Sequence, residues 1–454
     1  QKSLPVAVAI PGDRPLLRAQ TLSLEQDIAS VRIGPNAKRV AIEARGEIFS
    51  APVDEGALRN LTASSGVAER SPAWSCDGQW IAYWSDRSGE YELCVRRADG
   101  APFKWNGAEE ETSEKALTTI GAGWKYEPAF APDSKSVAFT NNSGELWHLN
   151  LASGDLKKLA TNPLGEPFDI DWAPDSRWIT WSQRHSTSQL NTVLIYDLTK
   201  GELHEIGAGR FENRAPSFDR GGEWLYFVSQ RTFTPSYSDF DDSWIYTDAA
   251  NLMAVALRKD VVNPFLARDA SESESDEDAT ASDESSSEGE GEGEGKKADK
   301  DKAAPKPVEI DFDGLEGRIL QLPVANGSLS DVHGGDACVF YLRRERAVPS
   351  DDDEPAPSGA KLVQFKLSED KKEREEKLVL AGVAAFEMAA KGEKLFVALA
   401  DGGYAVIDAK PEQKVEDKLD FHALEASVTP RDEWQQILAD AHRLVRDFFY
   451  ESTL

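Results

Sequence analysis

The sequence has few cysteines, no long apolar run and no excess of basic residues. Its 454 residues include three cysteines at unrelated spacings, which indicates neither a disulfide framework nor a zinc site. No apolar run reaches the roughly 18 residues of an ordinary membrane-spanning helix. Lysine plus arginine is 51 against 80 for aspartate plus glutamate, a net charge of −29. Nucleic acid and anionic membranes are therefore not expected partners.

Familiar catalytic motifs are also missing. The chain contains no GxSxG, HExxH, P-loop or CxxC motif. Six histidines are scattered without metal-ligand spacing, and His185 is interpreted as a loop residue. Cys76 is interpreted as a turn residue, and Asp241 and Asp242 as loop residues, for which acid–base chemistry would need a second carboxylate across a cleft. The sequence therefore predicts no catalytic, cofactor-binding or metal-ligating residue and no cofactor.

One pattern recurs seven times: a bulky apolar residue, a turn of Asp, Asn, Gly or Ser, and then a β-rich apolar run. The clearest copy runs from Pro72 to Tyr83. Successive anchors lie 41 to 56 residues apart, except for 114 between the fifth and sixth. The anchors are Ile33, Trp74, Phe130, Trp172, Phe218, Val332 and Met388. This spacing matches the roughly 40 to 50 residues of a propeller blade.

The turns join antiparallel strands that alternate at period two, so each repeat predicts one four-stranded blade. Closing such blades into a ring covers their faces and most of their edges. A β-solenoid would need a shorter repeat and a β-sandwich a less regular one. The predicted fold is an all-β, seven-bladed β-propeller over residues 27–420, with residues 1–26 as a lead-in or linker.

An acidic segment accounts for the long gap between the fifth and sixth anchors. Residues 269–302 hold 14 acidic and 4 basic side chains. With no aromatic residue and no periodicity, residues 269–306 are expected to be a disordered insertion, because they offer too little apolar surface for burial to offset the ordering entropy. Residues 350–357 are expected to form a smaller loop of the same kind.

The final 26 residues, 429–454, predict an amphipathic helix. Thr429 is the expected N-cap, Pro430 the first helical residue, and Asp432 the carboxylate three residues after the cap. Apolar residues then recur at steps of three and four. They are Trp434, Ile437, Leu438, Ala441, Leu444, Val445, Phe448 and Phe449. This stripe needs a partner surface, and a helix after a complete propeller indicates the start of another domain.

Several ordered segments resemble the second propeller of the tricorn protease family and the opening helix of that family's first mixed catalytic domain. The segments are 60–62, 66–75, 81–86, 88–93, 216–219, 257–265, 310–319 and 433–450. The resemblance implies a cytoplasmic serine peptidase that degrades peptides, assembles as a hexamer and needs no cofactor. It further implies that this propeller is a channel and size filter for substrates, and that residues 429–454 begin a truncated catalytic domain.

The chain departs from that family in ways that limit what can be carried over. The family's catalytic histidine, serine and glutamate follow the Tyr450 helix, so none has a counterpart here and this chain alone is not expected to cleave peptides. Cys76 and Cys94 stand where proline and tyrosine are expected. The chain also begins without methionine or an apolar signal segment, which indicates processing or a piece of a longer protein.

Two alternatives remain open. One is a stand-alone protein-binding propeller resembling TolB, which would require the C-terminal helix to pack on the propeller itself. The other is the regulatory propeller of an enzyme resembling prolyl oligopeptidase, which would require a GxSxG motif in a following domain.

Overall fold

The computed structural model describes residues 12, 14–162, 164, 169–207, 209–233, 235–238, 242–246, 248–265, 306–345, 359–368, 370 and 373–449. Both loops expected from composition, the insertion predicted over residues 269–306 and the loop at 350–357, lie outside these residues except for Lys306. Residues 1–11 of the expected lead-in lie outside them as well.

Six antiparallel sheets of four or six strands follow one another along the described residues, which also form two separate two-stranded pairs. Sheet 1 contains β2 (Ile28–Ile33), β3 (Arg39–Ala44), β4 (Glu47–Pro52) and β5 (Arg59–Asn60). Sheet 2 contains β6 (Glu69–Trp74), β7 (Trp80–Ser85), β8 (Glu92–Arg97) and β9 (Lys115–Ala116). Sheet 3 contains β10 (Ala129–Phe130), β11 (Ser136–Thr140), β12 (Glu145–Asn150) and β13 (Leu156–Thr161).

Sheet 4 contains β14 (Asp171–Trp172), β15 (Trp178–Arg184), β16 (Asn191–Asp197) and β17 (Glu202–Ile206). Sheet 5 contains β18 (Glu212–Phe218), β19 (Trp224–Gln230), β22 (Ala250–Ala256) and β23 (Ile319–Gln321). A hairpin of β20 (Pro235–Ser238) and β21 (Ser243–Tyr246) leaves sheet 5 between β19 and β22. Sheet 6 contains β24 (Ser328–Gly334), β25 (Cys338–Arg344), β26 (Ala360–Lys366), β27 (Lys377–Met388), β28 (Lys394–Leu399) and β29 (Tyr404–Asp408).

The remaining elements are short apart from one helix. They are β1 (Gln20–Ser23), β30 (Glu425–Val428), α1 (Pro430–Phe448), and 3-10 turns at Pro15–Leu17, Glu25–Asp27, Trp105–Gly107 and Leu315–Arg318. The propeller class and the C-terminal helix are confirmed.

The predicted turns are present in all seven repeats. After each anchor, one turn residue has a φ between 49° and 74°, the left-handed region that a tight turn between two strands requires. These residues are Ala37, Gly78, Ser134, Ser176, Gly222, Ala337 and Gly392. Neighbouring turns are also linked, since the Asp77 amide donates to Ser134 Oγ at 3.0 Å and the Asp133 amide to Ser176 Oγ at 2.9 Å.

The number of separate blades was predicted wrongly, because the structure has six sheets and not seven. β27 is 12 residues long. Its first part pairs with β26 and its last part, up to Met388, pairs with β28, so the strands of the sixth and seventh repeats join in one six-stranded sheet. Register shifts near Val383 interrupt the hydrogen-bond ladders of β27 with β26 and with β28. Residues of β25 and β26 also pack in one apolar cluster with residues of β28 and β29.

The anchor of the sixth repeat was also placed two residues too early. In β24 the residue next to the turn is Gly334, which pairs with Val339, and not Val332. A Cβ atom at Gly334 would lie 2.1 Å from the carbonyl oxygen of Phe218 in the preceding sheet. The close approach of the two inner strands therefore excludes a bulky anchor at this position.

Apolar clusters fill the spaces between consecutive sheets. Between sheets 2 and 3, Trp84 and Phe139 meet edge to face with ring centroids 5.0 Å apart. The first and last sheets pack together through a cluster that includes Leu24, Phe49 and Phe396. Each sheet thereby buries both faces against its neighbours, which is how a propeller stabilises sheets that are too small to stand alone.

The two ends of the propeller meet in a strand pair outside the six sheets. β1 pairs antiparallel with β30, with Thr21 opposite Ser427. Every strand of sheet 1 comes from the start of the propeller and every strand of sheet 6 from its end. Within the described part of the chain, the first and last sheets therefore exchange no strand.

Candidate functional site

The first strand of each sheet lines the inside of the ring. Along the ring, β2 contacts β6, β6 contacts β10, β14 contacts β18, β18 contacts β24, β24 contacts β27, and β27 contacts β2. The ring encloses a cavity of about 750 Å³. The residue just before the last inner-strand position of each repeat is Arg32, Ala73, Ala129, Asp171, Ser217, His333 or Glu387. All of these except Ser217 line the cavity, so the candidate site is this central cavity, which is called the channel below.

Side chains at these positions also join one sheet to the next. Asp171 Oδ2 accepts the Phe218 amide at 2.7 Å, Ser217 Oγ accepts the Gly334 amide at 3.0 Å, and Glu387 Oε2 accepts the Ile33 amide at 3.2 Å. An innermost strand has one edge without a strand partner, so its backbone amides need acceptors from elsewhere. The repeated position thus serves both the channel wall and the packing of sheets.

Charged groups are concentrated in one part of the channel wall. Arg32 on β2 forms an ion pair with Glu127, which lies just before β10, and its guanidinium is 4.0 Å from Glu387 on β27. Asp169 Oδ2, next to β14, accepts a hydrogen bond from Ser182 Oγ at 2.7 Å. Arg32 therefore faces the carboxylates of Glu127 and Glu387 inside the ring.

The surroundings shift the protonation of several channel groups. Burial raises the pKa of Asp171 to about 6, although backbone amides of Phe218 and Trp172 oppose the shift. Burial also raises the pKa of Glu387, against the attraction of Arg32. Burial lowers the pKa of His333, so its imidazole is neutral at pH 7. The channel near Arg32 is therefore lined by carboxylates and a neutral histidine.

Residues considered for chemistry from the sequence are not assembled into one site. His185 lies in the exposed turn between β15 and β16, where its Nδ1 is 3.3 Å from Ser188 Oγ. Cys76 lies on the turn at one mouth of the channel, and burial, with Asp77 and Asp133 nearby, raises the pKa of its thiol to about 11. Asp242 accepts a hydrogen bond from Tyr237 at 2.6 Å, and Asp241 lies outside the described residues.

The described residues hold no cluster of metal ligands and no membrane-spanning helix. Within the described ranges, no group of three or more His, Cys, Asp or Glu side chains could hold a metal ion. None of the helices in this part of the chain is both long and apolar enough to cross a membrane.

Helix α1 lies across sheets 1 to 3 and contacts them with its polar face. Thr429 is the N-cap and Pro430 the first residue, as predicted, but the Thr429 side chain makes no capping hydrogen bond. The Thr429 amide instead donates to Ser65 Oγ at 2.8 Å. A Cβ at Gly66 would lie 2.6 Å from the side chain of Asp432, so the helix begins directly on the backbone before β6.

The centre of this interface is a buried ion network. Arg443, 6% exposed, pairs with Asp86 and with Asp440, whose Oδ1 is 3.2 Å away. Tyr91 donates to Asp440 Oδ1 at 2.9 Å, and Arg70 pairs with the other oxygen of the same carboxylate. Opposite charges and hydrogen bonds thus satisfy groups that would be costly to bury alone.

The predicted apolar stripe of α1 is largely exposed, although the ring of Phe448 at its end lies 6.1 Å from the ring of Trp124 on the propeller. Seven of its members are between 41% and 73% exposed. They are Trp434, Ile437, Leu438, Leu444, Val445, Phe448 and Phe449. An apolar patch of this kind on a helix marks a surface that packs against something else.

Sequence reasoning missed the residues that define the channel. Charged residues on a strand look like solvent-facing positions, so Arg32 and Glu387 gave no signal of their own. Alignment of the seven repeats could have found them, because both immediately precede an anchor. The polar contacts of α1 carried no sequence signal beyond the charge of that face.

Comparison with known proteins places the chain in a family. Over 98% of its length, it is 24% identical to "Tricorn protease homolog 1" of Streptomyces coelicolor, covering 40% of that protein. It is 21% identical to the "Putative Tricorn-like protease C-terminal subunit" of Sulfurisphaera tokodaii over 92% of its length, covering 43% of that protein. The chain thus spans about two fifths of each of these relatives.

A solved structure and a family model agree with these relatives. The crystal structure of the tricorn protease superposes with a TM-score of 0.72 at 15% identity, over 98% of this chain and 39% of that one, which supports the propeller fold. The model of the tricorn protease second beta propeller domain matches residues 28–410. The chain therefore belongs to the tricorn protease second beta propeller domain family.

Proposed function

We propose that this chain is the substrate-channel propeller of a tricorn-like serine peptidase and conducts peptides to a catalytic site outside residues 1–454. The observation that carries the proposal is the central cavity, which is bounded by inner strands from around the ring. A narrow channel admits an extended chain and excludes folded ones, so it selects peptides by size.

The exposed stripe of α1 supports the attachment of a further domain. Its polar face is already used on the propeller, and its apolar face offers Trp434, Leu438 and Val445 to a partner. We propose that residues 429–454 begin the catalytic domain of the parent protein, which is cytoplasmic and hexameric, and that the remaining domain covers this face.

The test is a plugged channel in the full-length protein. Ala73 and Ala129 line the cavity from neighbouring sheets, so A73W and A129W together should narrow it. Hydrolysis of long peptides should fall by about tenfold or more, while hydrolysis of very short peptides should change by less than about twofold.

The matched control is L203W on the outer strand β17, where the native side chain is 50% exposed. It should alter neither rate. Equal losses on long and short peptides after plugging would contradict a role in substrate selection.

A second candidate function is that of a stand-alone protein-binding propeller. It is favoured by one observation, the docking of α1 on the ring through Arg443. It leaves the exposed apolar stripe unexplained. A full-length gene product that ends near Leu454 and binds a protein partner, with no peptidase activity, would favour this candidate over the channel.

A further inference from the structure

Arg32 connects parts of the channel wall that are not neighbours in the ring. It lies on β2 in sheet 1, and the Glu127 carboxylate that it binds lies in sheet 3, next to β10. The inner strand of sheet 2, β6, lies between them and contacts both. The ion pair therefore passes in front of β6 and across part of the channel.

Small residues on β6 leave room for this arrangement. Ala73 faces the cavity at the level of Arg32, and Ser71 precedes it by two residues. Arg32 lines the cavity, whereas its neighbours Val31 and Ile33 are buried in the apolar cluster between the first and last sheets, although Ile33 also borders the cavity. Pro72 is another β6 residue beside Ala73 on this part of the cavity wall, and neither side chain is long or charged.

The guanidinium is also held from the other side. Glu387 on β27 approaches it to 4.0 Å and is itself fixed by the Ile33 amide. Burial lowers the pKa of Arg32. The nearby carboxylates of Glu387, Glu127 and Glu43 raise it by a larger amount, so the net shift is upward. Arg32 therefore keeps its charge and its partners throughout the range in which the carboxylates are ionised.

We propose that Arg32, held between Glu127 and Glu387, is a specificity-determining residue that forms a bar across the channel and sets the width of chain that can pass. This inference rests on the proposed function, in which peptides enter the channel. The bar leaves an extended chain room to pass beside it and blocks bulkier segments from the space in front of Ala73.

The experiment measures access to a cysteine behind the bar. In a C76S background, A73C places one thiol in the cavity, since Cys94 and Cys338 are buried. The rate of its modification is compared for N-ethylmaleimide and for a maleimide carrying a bulky neutral polyether. R32A should raise the rate for the bulky reagent by about tenfold, a lowering of the barrier by about 1.4 kcal/mol, and leave the small reagent nearly unchanged.

Three further variants make the result decisive. E127Q removes one end of the bar at a residue that is 61% exposed. It should raise the rate for the bulky reagent, as R32A does, and it serves as the test if R32A does not fold. R32K keeps the charge on a more compact group and should give an intermediate rate. R97A removes an exposed arginine that pairs with Asp99, and should change neither rate. If the ratio of the two modification rates were unchanged in both R32A and E127Q, the proposal that Arg32 forms a bar would be wrong.

A second measurement separates the bar from the proposed function. A neutral unstructured peptide that enters the channel should protect the A73C thiol from N-ethylmaleimide. If the peptide protects but the size ratio does not respond to R32A or E127Q, the bar is wrong and the proposed function stands. If no peptide protects the A73C thiol, either with Arg32 present or in the R32A variant, the proposed function is wrong, whatever the ratio of the two modification rates shows about Arg32.

Discussion

Glu69 at the start of β6 is a carboxyl group whose surroundings oppose its ionisation. Its side chain is fully buried, accepts a hydrogen bond from Ser64 Oγ at 2.6 Å, and lies 3.3 Å from the Arg87 guanidinium. Burial raises its pKa from 4.5 to about 8, more than Ser64 and Arg87 lower it. The folded protein therefore holds this proton at neutral pH, whereas the unfolded chain releases it.

This difference predicts a loss of stability as the pH rises. Between about pH 4.5 and 8 the folded state binds a proton that the unfolded state has lost, so the free energy of unfolding falls by up to about 1.4 kcal/mol per pH unit. E69Q imitates the protonated acid and should remove this slope. Denaturant unfolding of both proteins across this pH range measures it.

The matched control is E109Q, at an exposed glutamate in the loop between β8 and β9. It should keep the pH dependence of the wild type. An equally steep slope in E69Q would show that another group is responsible.

Turn residues were the part of the structure most accessible from sequence. A tight turn between two strands needs a left-handed residue, and few residue types adopt that conformation readily, so Gly78, Ser134 and Ser176 could be located from composition and spacing alone. Arg32 could not, because its role depends on which strands face each other across the ring. That arrangement is set by tertiary packing, which a single strand does not encode.

At the scale of the element, α1 shows what periodicity can and cannot predict. Spacing at three and four residues correctly predicted a helix starting at Pro430 and its apolar stripe. It could not predict that the opposite face packs on the propeller. A periodic pattern identifies the apolar face of a helix, but charge pairs such as Arg443 with Asp86 decide which surface it binds.

β27 presents a similar limit. Each half of the strand follows the repeat, and the turn after Met388 has the expected left-handed Gly392. The sequence does not reveal that the two halves form one continuous strand, because continuity depends on backbone geometry near Val383. The turn of each predicted repeat is therefore present, but the predicted number of blades was wrong, because the structure has six and not seven.

The polar docking of α1 predicts that Arg443 controls its attachment. R443A leaves Asp86 buried without its cation, and removal of one partner from a buried ion pair costs roughly 3 to 5 kcal/mol. The helix should detach while the propeller stays folded. Hydrogen exchange of the amides at 434–448 should become much faster, with the sheets unaffected.

The control is L438A, which removes a side chain that is 73% exposed on the apolar face. It should leave exchange in α1 almost unchanged in this chain, beyond a small effect of helix propensity. Greater loosening by L438A than by R443A would mean that the apolar face, and not the polar one, attaches the helix.

At the scale of the whole molecule, the weakest junction of a propeller is the one where its first and last sheets meet. The described residues give this junction no shared strand. It is held by the apolar cluster between the two sheets, by the contact from the Glu387 side chain to the Ile33 amide, and by the pair of β1 with β30. Leu24, which follows β1, is fully buried with Phe421 and Leu424, so the strand pair also covers the apolar junction.

A covalent link across this pair should therefore stabilise the entire ring. Thr21 and Ser427 are direct partners, and directly opposite antiparallel residues have Cα separations of roughly 4.5 to 5.5 Å, within the range of a disulfide. T21C/S427C in a C76S background should gain roughly 2 to 4 kcal/mol when oxidised, because the link joins the two ends of the propeller in the unfolded chain. Guanidinium unfolding of the oxidised and reduced forms measures the gain.

The single variant T21C in the same background is the control, and it should unfold at the same denaturant concentration with or without reductant. Unfolding should also become slower in the oxidised double variant if separation of β1 from β30 is an early step, because the disulfide blocks that step directly. A disulfide that forms fully yet changes neither the midpoint nor the unfolding rate would mean that the ring opens elsewhere, with the strand pair intact. The junction between sheets 1 and 6 would then be no weaker than the others, and Glu387 with its neighbours would be sufficient to close it.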